Sequence, residues 1–289
     1  MKIAVFGNQC QDHRVDEIRA LFEALRASGA FIEVERGFLD YVRGLIPDLP
    51  ADKAVGEGEV SADVVVSVGG DGTFLRAAAW VGSREIPIFG VNTGHLGYLS
   101  DVSVSDVSQF VAGLAGGNFR IERRSLLQVD TNAGVALANR YALNEVAILK
   151  NASASMLAMD TSIGTTMLNT YLGDGLIVAT PTGSTAYNLS VGGPIMHPAC
   201  SSFVLSPIAA HSLTMRPLVV PDNVEIAVTT RSERSHTFRM SVDGESLSLP
   251  IGSTIRLRKA DFSVNVVLRA DHDFAGALRN KLMWGADVR

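Results

Sequence analysis

Ala62-Asp63-Val64-Val65-Val66-Ser67-Val68-Gly69-Gly70-Asp71-Gly72-Thr73-Phe74-Leu75-Arg76-Ala77-Ala78-Ala79-Trp80 is the stretch that decides the fold. Ala62 to Val68 is rich in β-branched residues and reads as a strand, whereas Thr73 to Trp80 has helix-forming composition. The loop Gly69-Gly70-Asp71-Gly72 therefore sits at a strand's carboxyl end, where open α/β sheets bind their ligands. Three glycines around one acid let the backbone turn tightly and approach a ligand closely. The first N–H groups of the following helix, together with its dipole, suit phosphate oxygens. Gly69, Gly70, Gly72 and Thr73 are thus a candidate phosphate loop. No GxxxxGK[ST] occurs and no complete GxGxxG follows a strand, so neither common nucleotide loop accounts for the chain.

On the amino-terminal side, Lys2 to Phe6 reads as a short buried strand ending at Gly7. Val15 to Ser28 reads as an amphipathic helix closed by Gly29, and Phe31 to Arg36 as the next strand. Strand, helix, strand begins a layered α/β unit with a parallel sheet. From about Asp40 to Ser61 the composition turns to Gly, Pro, Asp and Glu, which suggests a surface connection. On the other side, the strand Ile86 to Val91 leads into the turn Asn92 to Gly97, expected beside the glycine loop.

Beyond a helix-like Val104 to Ala115, the pattern becomes alternating or β-branched: Leu126 to Asp130, Tyr141 to Leu149, Met156 to Ile163, Met167 to Leu172, Leu176 to Thr180, Val204 to Ile208, Val224 to Thr229, Thr237 to Val242 and Thr254 to Lys259. That predicts a second, β-rich domain of two sheets or a barrel. The expected division is 1–103 for an α/β domain and 104–270 for the β-rich one. The helix-like Phe274 to Trp284, within 271–289, is expected to pack back on the first.

The 289 residues are 47% hydrophobic and 19% charged, as in an ordinary globular protein, and the length favours two modest cores. A net charge of −5 gives no positive field for nucleic acid or an anionic membrane. A small phosphorylated ligand stays possible, because backbone N–H groups and a divalent cation hold phosphates without net positive charge. Cys10 and Cys200 form no CxxC pair, fit a reducing compartment and read as packed residues. No signal-peptide pattern and no run of roughly 18 apolar residues is present, which leaves the cytosol as the expected location. None of the six histidines has HxxxH spacing or a Cys partner, so no structural zinc is expected.

Three constellations carry chemistry. An acid at a phosphate site repels its ligand unless it meets a divalent cation or takes a proton, which gives Asp71 a role; equally, Asp71 could cap the helix beginning near Thr73. Thr180-Pro181-Thr182-Gly183-Ser184-Thr185-Ala186-Tyr187-Asn188-Leu189-Ser190 leaves room for close backbone approach and offers Tyr187 to a base or sugar. The same stretch could be a turn held by hydroxyl-to-backbone bonds. Asn144 and Glu145 interrupt an apolar strand and supply the donors and acceptors that grip a sugar diol, or else mark a strand end at the surface.

Together and in this order, Gly69-Gly70-Asp71-Gly72-Thr73-Phe74-Leu75-Arg76, Asn144-Glu145 and Pro181-Thr182-Gly183-Ser184-Thr185-Ala186-Tyr187 make the chain resemble the bacterial NAD kinase family over nearly its whole length. Gly90-Val91-Asn92-Thr93-Gly94-His95-Leu96-Gly97-Tyr98-Leu99 and Ser241-Val242-Asp243-Gly244 extend the likeness. The glycine loop alone is shared with lipid kinases and phosphofructokinases; the Thr-Gly-Ser-Thr-Ala-Tyr segment is far more specific. The resemblance implies an N-terminal Rossmann-like α/β domain, a C-terminal β-sandwich domain and a substrate cleft between them. It implies transfer of the γ-phosphoryl of ATP to the 2′-hydroxyl of the NAD adenosine ribose, with Mg²⁺ carried by the nucleotide rather than by a protein metal site, in a homodimer or homotetramer.

By the same resemblance Asp71 is the expected proton acceptor with Gly72 beside it, and Asn144 and Glu145 contact the NAD ribose and nicotinamide portions. Asp174, Thr185, Ala186, Tyr187 and Ser190 make further dinucleotide contacts, some from a neighbouring subunit. Arg76, Tyr98, Thr182, Asn188, Leu189 and Ala209 complete the expected set, with Glu245 carried from a looser match near Asp243. Arg76 also reads as an ordinary exposed helical arginine, and His95 has the same standing. Leu172 departs from the pattern, since many relatives have Arg or Lys two residues before Asp174. A lipid kinase would share the glycine loop but should carry basic or amphipathic membrane-contact segments, and none stands out. A dinucleotide-binding regulator would keep the pocket but have no need of Asp71.

Overall fold

A computed structural model of the chain describes residues 1–93, 97–151 and 156–285. They divide into two compact units, one of 1–123 with 264–285 and one of 124–263.

In chain order the first unit contains β1 (Lys2–Gly7), α1 (Val15–Ala27), β2 (Phe31–Glu35), α2 (Arg36–Leu45), β3 (Lys53–Val55), β4 (Val64–Val68), α3 (Asp71–Val81), β5 (Ile88–Asn92), β6 (Val102–Ser103), α4 (Val107–Ala115) and β7 (Phe119–Arg124). The second contains β8 (Leu127–Thr131), β9 (Tyr141–Ala142), β10 (Glu145–Lys150), β11 (Leu157–Ile163), β12 (Thr166–Gly173), β13 (Gly175–Ala179), the short α5 (Tyr187–Ser190), β14 (Ser202–Ile208), β15 (Leu218–Pro221), β16 (Ile226–Arg231), β17 (Thr237–Val242), β18 (Glu245–Pro250) and β19 (Thr254–Lys259). The chain then returns to the first unit as β20 (Val264–Arg269) and α6 (Phe274–Lys281).

Among the described residues the first unit holds an eight-stranded sheet in the order β3-β2-β1-β4-β5-β20-β7, with β6 also on β5. Pairings from β3 through β5 are parallel. Because β1 lies between β2 and β4, the strand order reverses at this point, and the crevice outside the carboxyl ends of β1 and β4 is the topological switch where such sheets bind ligands. One amide secures that edge. The buried Gln11 donates from Nε2 to Asn8 O and Val68 O, both at 3.0 Å, and accepts from Thr93 Oγ1 at 2.8 Å. Helix α1 buries Ile18, Leu21, Phe22 and Leu25, the i, i+3, i+4, i+7 stripe that docks an amphipathic helix. Full burial of each such side chain contributes about 1.5–3 kcal/mol.

The stretch from Asp40 to Ser61 contains more structure than its composition suggested. Helix α2 runs through its start and β3 lies inside it. The Glu35 carboxylate caps α2, accepting from Gly37 N at 2.9 Å and Phe38 N at 2.7 Å, and Phe38, Leu39 and Val42 are buried. Two glycines within ten residues weaken the helical signal, and tertiary burial restores it. The division between units falls after Arg123 and before Val264, not at 104 and 271, since α4 buries Val107, Val111 and Leu114 in the first core and β20 pairs in parallel with β5. Cys10 and Cys200 are exposed rather than packed, because both lie in loops.

In the second unit, among the described residues, two antiparallel six-stranded sheets, β15-β14-β13-β10-β17-β18 and β12-β11-β16-β19-β8-β9, close on one core. Alternation places every second residue inward, as in β17 with Phe238, Met240 and Val242. The outer face of β13 is covered too, where Ile177 and Ala179 pack with Met196 and Val204. Unbroken burial of Gly175–Ala179 follows. Tyr141 to Leu149 is not one strand. It is β9 in one sheet and β10 in the other, and Leu143-Asn144 is the crossing between them.

Candidate functional site

The first unit contributes the glycine turn. Gly69 has φ +145°, and a Cβ there would fall 2.5 Å from Thr73 Oγ1, so glycine is required. Gly70 is the N-cap of α3 and gives no side-chain cap bond, so Asp71 is the first helical residue and not its cap. Its carboxylate reaches another segment instead. Oδ2 accepts from Tyr98 N at 2.7 Å, and Oδ1 accepts from Leu99 N at 2.9 Å and Ser100 N at 3.1 Å. A carboxylate offers about four acceptor positions, and among the described residues one on Oδ2 remains. Gly97 makes the approach possible, because a Cβ at that position would overlap the Asp71 carboxylate. At Gly70 and Gly72 an added Cβ would meet nothing within 4 Å, so this face of the turn is open beside the helix amino terminus. Arg76 lies on the exposed face of α3. Gly94, His95 and Leu96 lie outside the described residues.

The second unit gathers Asn144, Glu145 and the segment Thr180 to Ser190 around the crossing between sheets. Thr180 N donates to Asn144 O at 2.9 Å and Thr180 Oγ1 to Leu143 O at 2.5 Å. A Cβ at Gly183 would overlap the Asn144 backbone, so the two segments touch only because residue 183 has no side chain. The crossing itself is pinned by a residue absent from the expected set. Asp243, in the Asp243-Gly244 turn joining β17 to β18, accepts from Leu143 N at 2.7 Å, Asn144 N at 2.9 Å and Glu145 N at 3.0 Å. Its φ of +47° suits an Asp-Gly hairpin turn.

Glu145 stands beside that acid. Burial, and then the neighbouring Asp243 charge, push the Glu145 carboxyl from 4.5 up to about 7, against the Tyr187 N–H, which favours the charged form. Burial and the Glu245 charge push Asp243 from 3.8 up to about 6, against its three backbone N–H donors. Glu145 Oε2 is buried with no hydrogen-bond partner among the described residues.

The other expected contacts differ in what their side chains already do. Tyr187 is 40% exposed, and Leu189 and Ser190 beside it are exposed as well. Thr185 and Ala186 are half-buried. Thr182 is buried and accepts from Arg124 Nη1 at 3.2 Å. Asn188 is a staple: Nδ2 donates to Ser184 O at 3.0 Å and Pro194 O at 3.1 Å, and Oδ1 accepts from Ser206 Oγ at 2.6 Å, which leaves little to offer a ligand. Asp174 pairs with Lys150 Nζ at 2.6 Å, near the exposed Ala209, whose φ is +45°. Glu245 is exposed at the start of β18, and Leu172 is exposed on β12. Among the described residues no group of three or more His, Cys, Asp or Glu could hold a metal.

Residues 51–119 match the ATP-NAD kinase N-terminal domain, and residues 143–269 match the ATP-NAD kinase C-terminal domain. The chain belongs to the NAD kinase family. The NAD kinase of Bacteroides fragilis is 44% identical over 290 residues, covering all of both chains, and that of Porphyromonas gingivalis is 44% identical over all of this chain and 99% of its own. Among solved structures, an NAD kinase from Archaeoglobus fulgidus in complex with ATP is 27% identical with a TM-score of 0.73, over 96% of this chain and 99% of its own. Yeast NADH kinase complexed with NADH has a TM-score of 0.90 over all of this chain and 89% of its own; at 21% identity it attests the fold. Within this NAD kinase family chain, the residue that sequence reasoning passed over is Asp243. Its Asp-Gly dipeptide between two alternating runs was the available signal, and it reads as a hairpin turn rather than as an anchor for a distant segment.

Proposed function

We propose that the protein is an NAD kinase that transfers the γ-phosphoryl of ATP to the 2′-hydroxyl of the NAD adenosine ribose, giving NADP and ADP. The observation that carries this reading is the Asp71 carboxylate. It is held by three backbone N–H groups, with one acceptor position left on Oδ2 among the described residues, beside the open glycine turn and the first N–H groups of α3. As the 2′-oxygen bonds to the γ-phosphorus and the bond from that phosphorus to the bridging oxygen breaks, the 2′-hydroxyl proton passes to Asp71. The glycine turn and helix start receive donor phosphate oxygens.

Mg²⁺ suits the residues present as an ion carried by the nucleotide, because three of Asp71's acceptor positions are taken by backbone N–H groups. When bound it neutralises charge on the phosphates. Asn144 and Glu145 hold the ribose and nicotinamide portions. The unpartnered Glu145 Oε2 supplies a hydrogen-bonding position for a sugar hydroxyl, and Tyr187 presents a flat ring to the dinucleotide. Asp174, Thr185, Ala186, Ser190 and Ala209 line the remainder.

The working form proposed is a homo-oligomer in the cytosol. The edge strand β12 exposes Met167 (56%) and Leu172, and the nearby loop exposes Leu213 (89%), apolar surface suited to a second copy. No described helix is long and apolar enough to cross a membrane. Incubation with ATP, Mg²⁺ and NAD should yield NADP, and 2′-deoxy-NAD should yield no product. Absence of NADP, or phosphorylation of the deoxy analogue, would remove the reading.

A further inference from the structure

The segment that offers its N–H groups to Asp71 is held from behind as well. Tyr98 O accepts from Lys281 Nζ at 3.4 Å, and Asp101, the residue after the last N–H donor, accepts from Lys281 Nζ at 2.7 Å on Oδ1 and pairs with His272 Nδ1 at 3.1 Å on Oδ2. The Lys281 ammonium also lies 5.9 Å from the Tyr98 ring centroid, within reach of a cation–π attraction. These are inward-facing side chains: Lys281 is 7% exposed, His272 11% and Asp101 23%.

His272 and Lys281 stand at the two ends of α6. His272 precedes its N-cap, Asp273, which accepts from Ala275 N and Gly276 N, and Lys281 is the last helical residue. Both ends of one helix therefore converge on a single carboxylate. Burial raises the Asp101 carboxyl, but hydrogen bonds and charge from His272 and Lys281 outweigh it and hold the group below the usual aspartate range. Asp101 is thus a charged anchor at neutral pH. A buried lysine of this kind has no solvent to gain and stays only while paired.

We infer that Lys281, through Asp101 and the Tyr98 carbonyl, is a positioning residue for phosphoryl transfer: α6 tethers the peptide run 98–101, in which the Tyr98, Leu99 and Ser100 N–H groups aim the Asp71 carboxylate. The inference rests on Asp71 being the proton acceptor. Asp71 has no side-chain partner of its own among the described hydrogen bonds, so its orientation is set by where that run lies. Loosening the run by a fraction of an ångström leaves dinucleotide contacts elsewhere in place and affects the transfer step.

The test is Lys281→Met in the full chain, with Lys281→Arg as the conservative partner. The Met variant should show kcat lowered about ten- to hundredfold with KM for NAD changed less than about twofold, and Arg should recover much of the loss. Hydrogen exchange without substrate should accelerate at the Tyr98, Leu99 and Ser100 amides but not at Leu143, Asn144 and Glu145, which a different aspartate holds. A Met variant with normal kcat, or with unchanged exchange at residues 98–100, overturns the inference. Should the Met variant fail to fold, Asp101→Asn, which keeps the shape and an acceptor, is expected to change kcat and exchange in the same sense, and its failure to do so counts equally against the tether. The exchange measurement does not depend on activity, so a wild-type protein that makes no NADP would refute the kinase reading while leaving the tether open to judgement.

Discussion

Asp71 and Asp243 make the same construction in two unrelated settings. Each begins an Asp-Gly dipeptide, and each carboxylate accepts three consecutive backbone N–H groups, one on Oδ2 and two on Oδ1. One sits at a helix start beside an open glycine turn. The other sits in a hairpin turn, facing a second acid, Glu145, whose carboxyl burial and the Asp243 charge push up to about 7. The hydrogen-bond pattern alone therefore does not distinguish a proton acceptor from an anchor. What lies beside each carboxylate does: an open glycine turn at a helix start in one case, the buried Glu145 carboxyl in the other.

The largest effect that could break this distinction is on turnover. Asp71→Asn should lower kcat by about 10²–10⁴-fold, the range for loss of a general base, with NAD still bound. Near-normal steady-state rates in that variant would make Asp71 an anchor like its counterpart. Asp243→Ala should act on stability, costing about 2–4 kcal/mol in urea denaturation because three N–H groups lose their acceptor, and should raise KM for NAD more than it lowers kcat. A variant as stable as the parent would mean that the second clamp carries no load.

A third effect is pH dependence. The folded Glu145 binds its proton more tightly than the unfolded chain does, so stability should fall as pH rises from about 4.5 to about 7 and level off above. Glu145→Gln should flatten that slope, as read from melting temperature against pH; an unchanged slope would assign the titration to another group. The smallest effect concerns Lys150 and Asp174, a pair more than a quarter exposed on both sides. Lys150→Ala should cost under about 1 kcal/mol, whereas Asp174→Ala should raise KM for NAD if Asp174 meets the dinucleotide. Equal behaviour of the two variants would reduce Asp174 to a surface ion pair.

Much of this was legible in the sequence because local signals agreed with tertiary use. The β-branched run into Gly69-Gly70-Asp71-Gly72, the helix after it and the alternation of Thr237 to Val242 each point one way. What was not legible depended on distant partners. Glycine-containing α2 is helical because Phe38, Leu39 and Val42 are buried. Tyr141 to Leu149 looks continuous, yet it changes sheets at Asn144, since periodicity does not reveal which sheet a strand joins. Asn188 sits amid candidate ligand contacts, but its amide is consumed by Ser184, Pro194 and Ser206. Asp243 acts on amides about a hundred residues earlier in the chain, a reach that local pattern reading does not have.

Gln11 joins the β1 loop to the carboxyl ends of β4 and β5 with two donated bonds and one accepted bond. Glutamate would forfeit both donations and set a negative charge near the turn proposed to receive a polyanion; lysine would forfeit the acceptance and draw that polyanion toward the wrong anchorage. An uncharged side chain able to give and take at once keeps three loop roots aligned while remaining electrically silent, so, in the function proposed, the pull on an incoming triphosphate would be left to the glycine turn and the helix behind it.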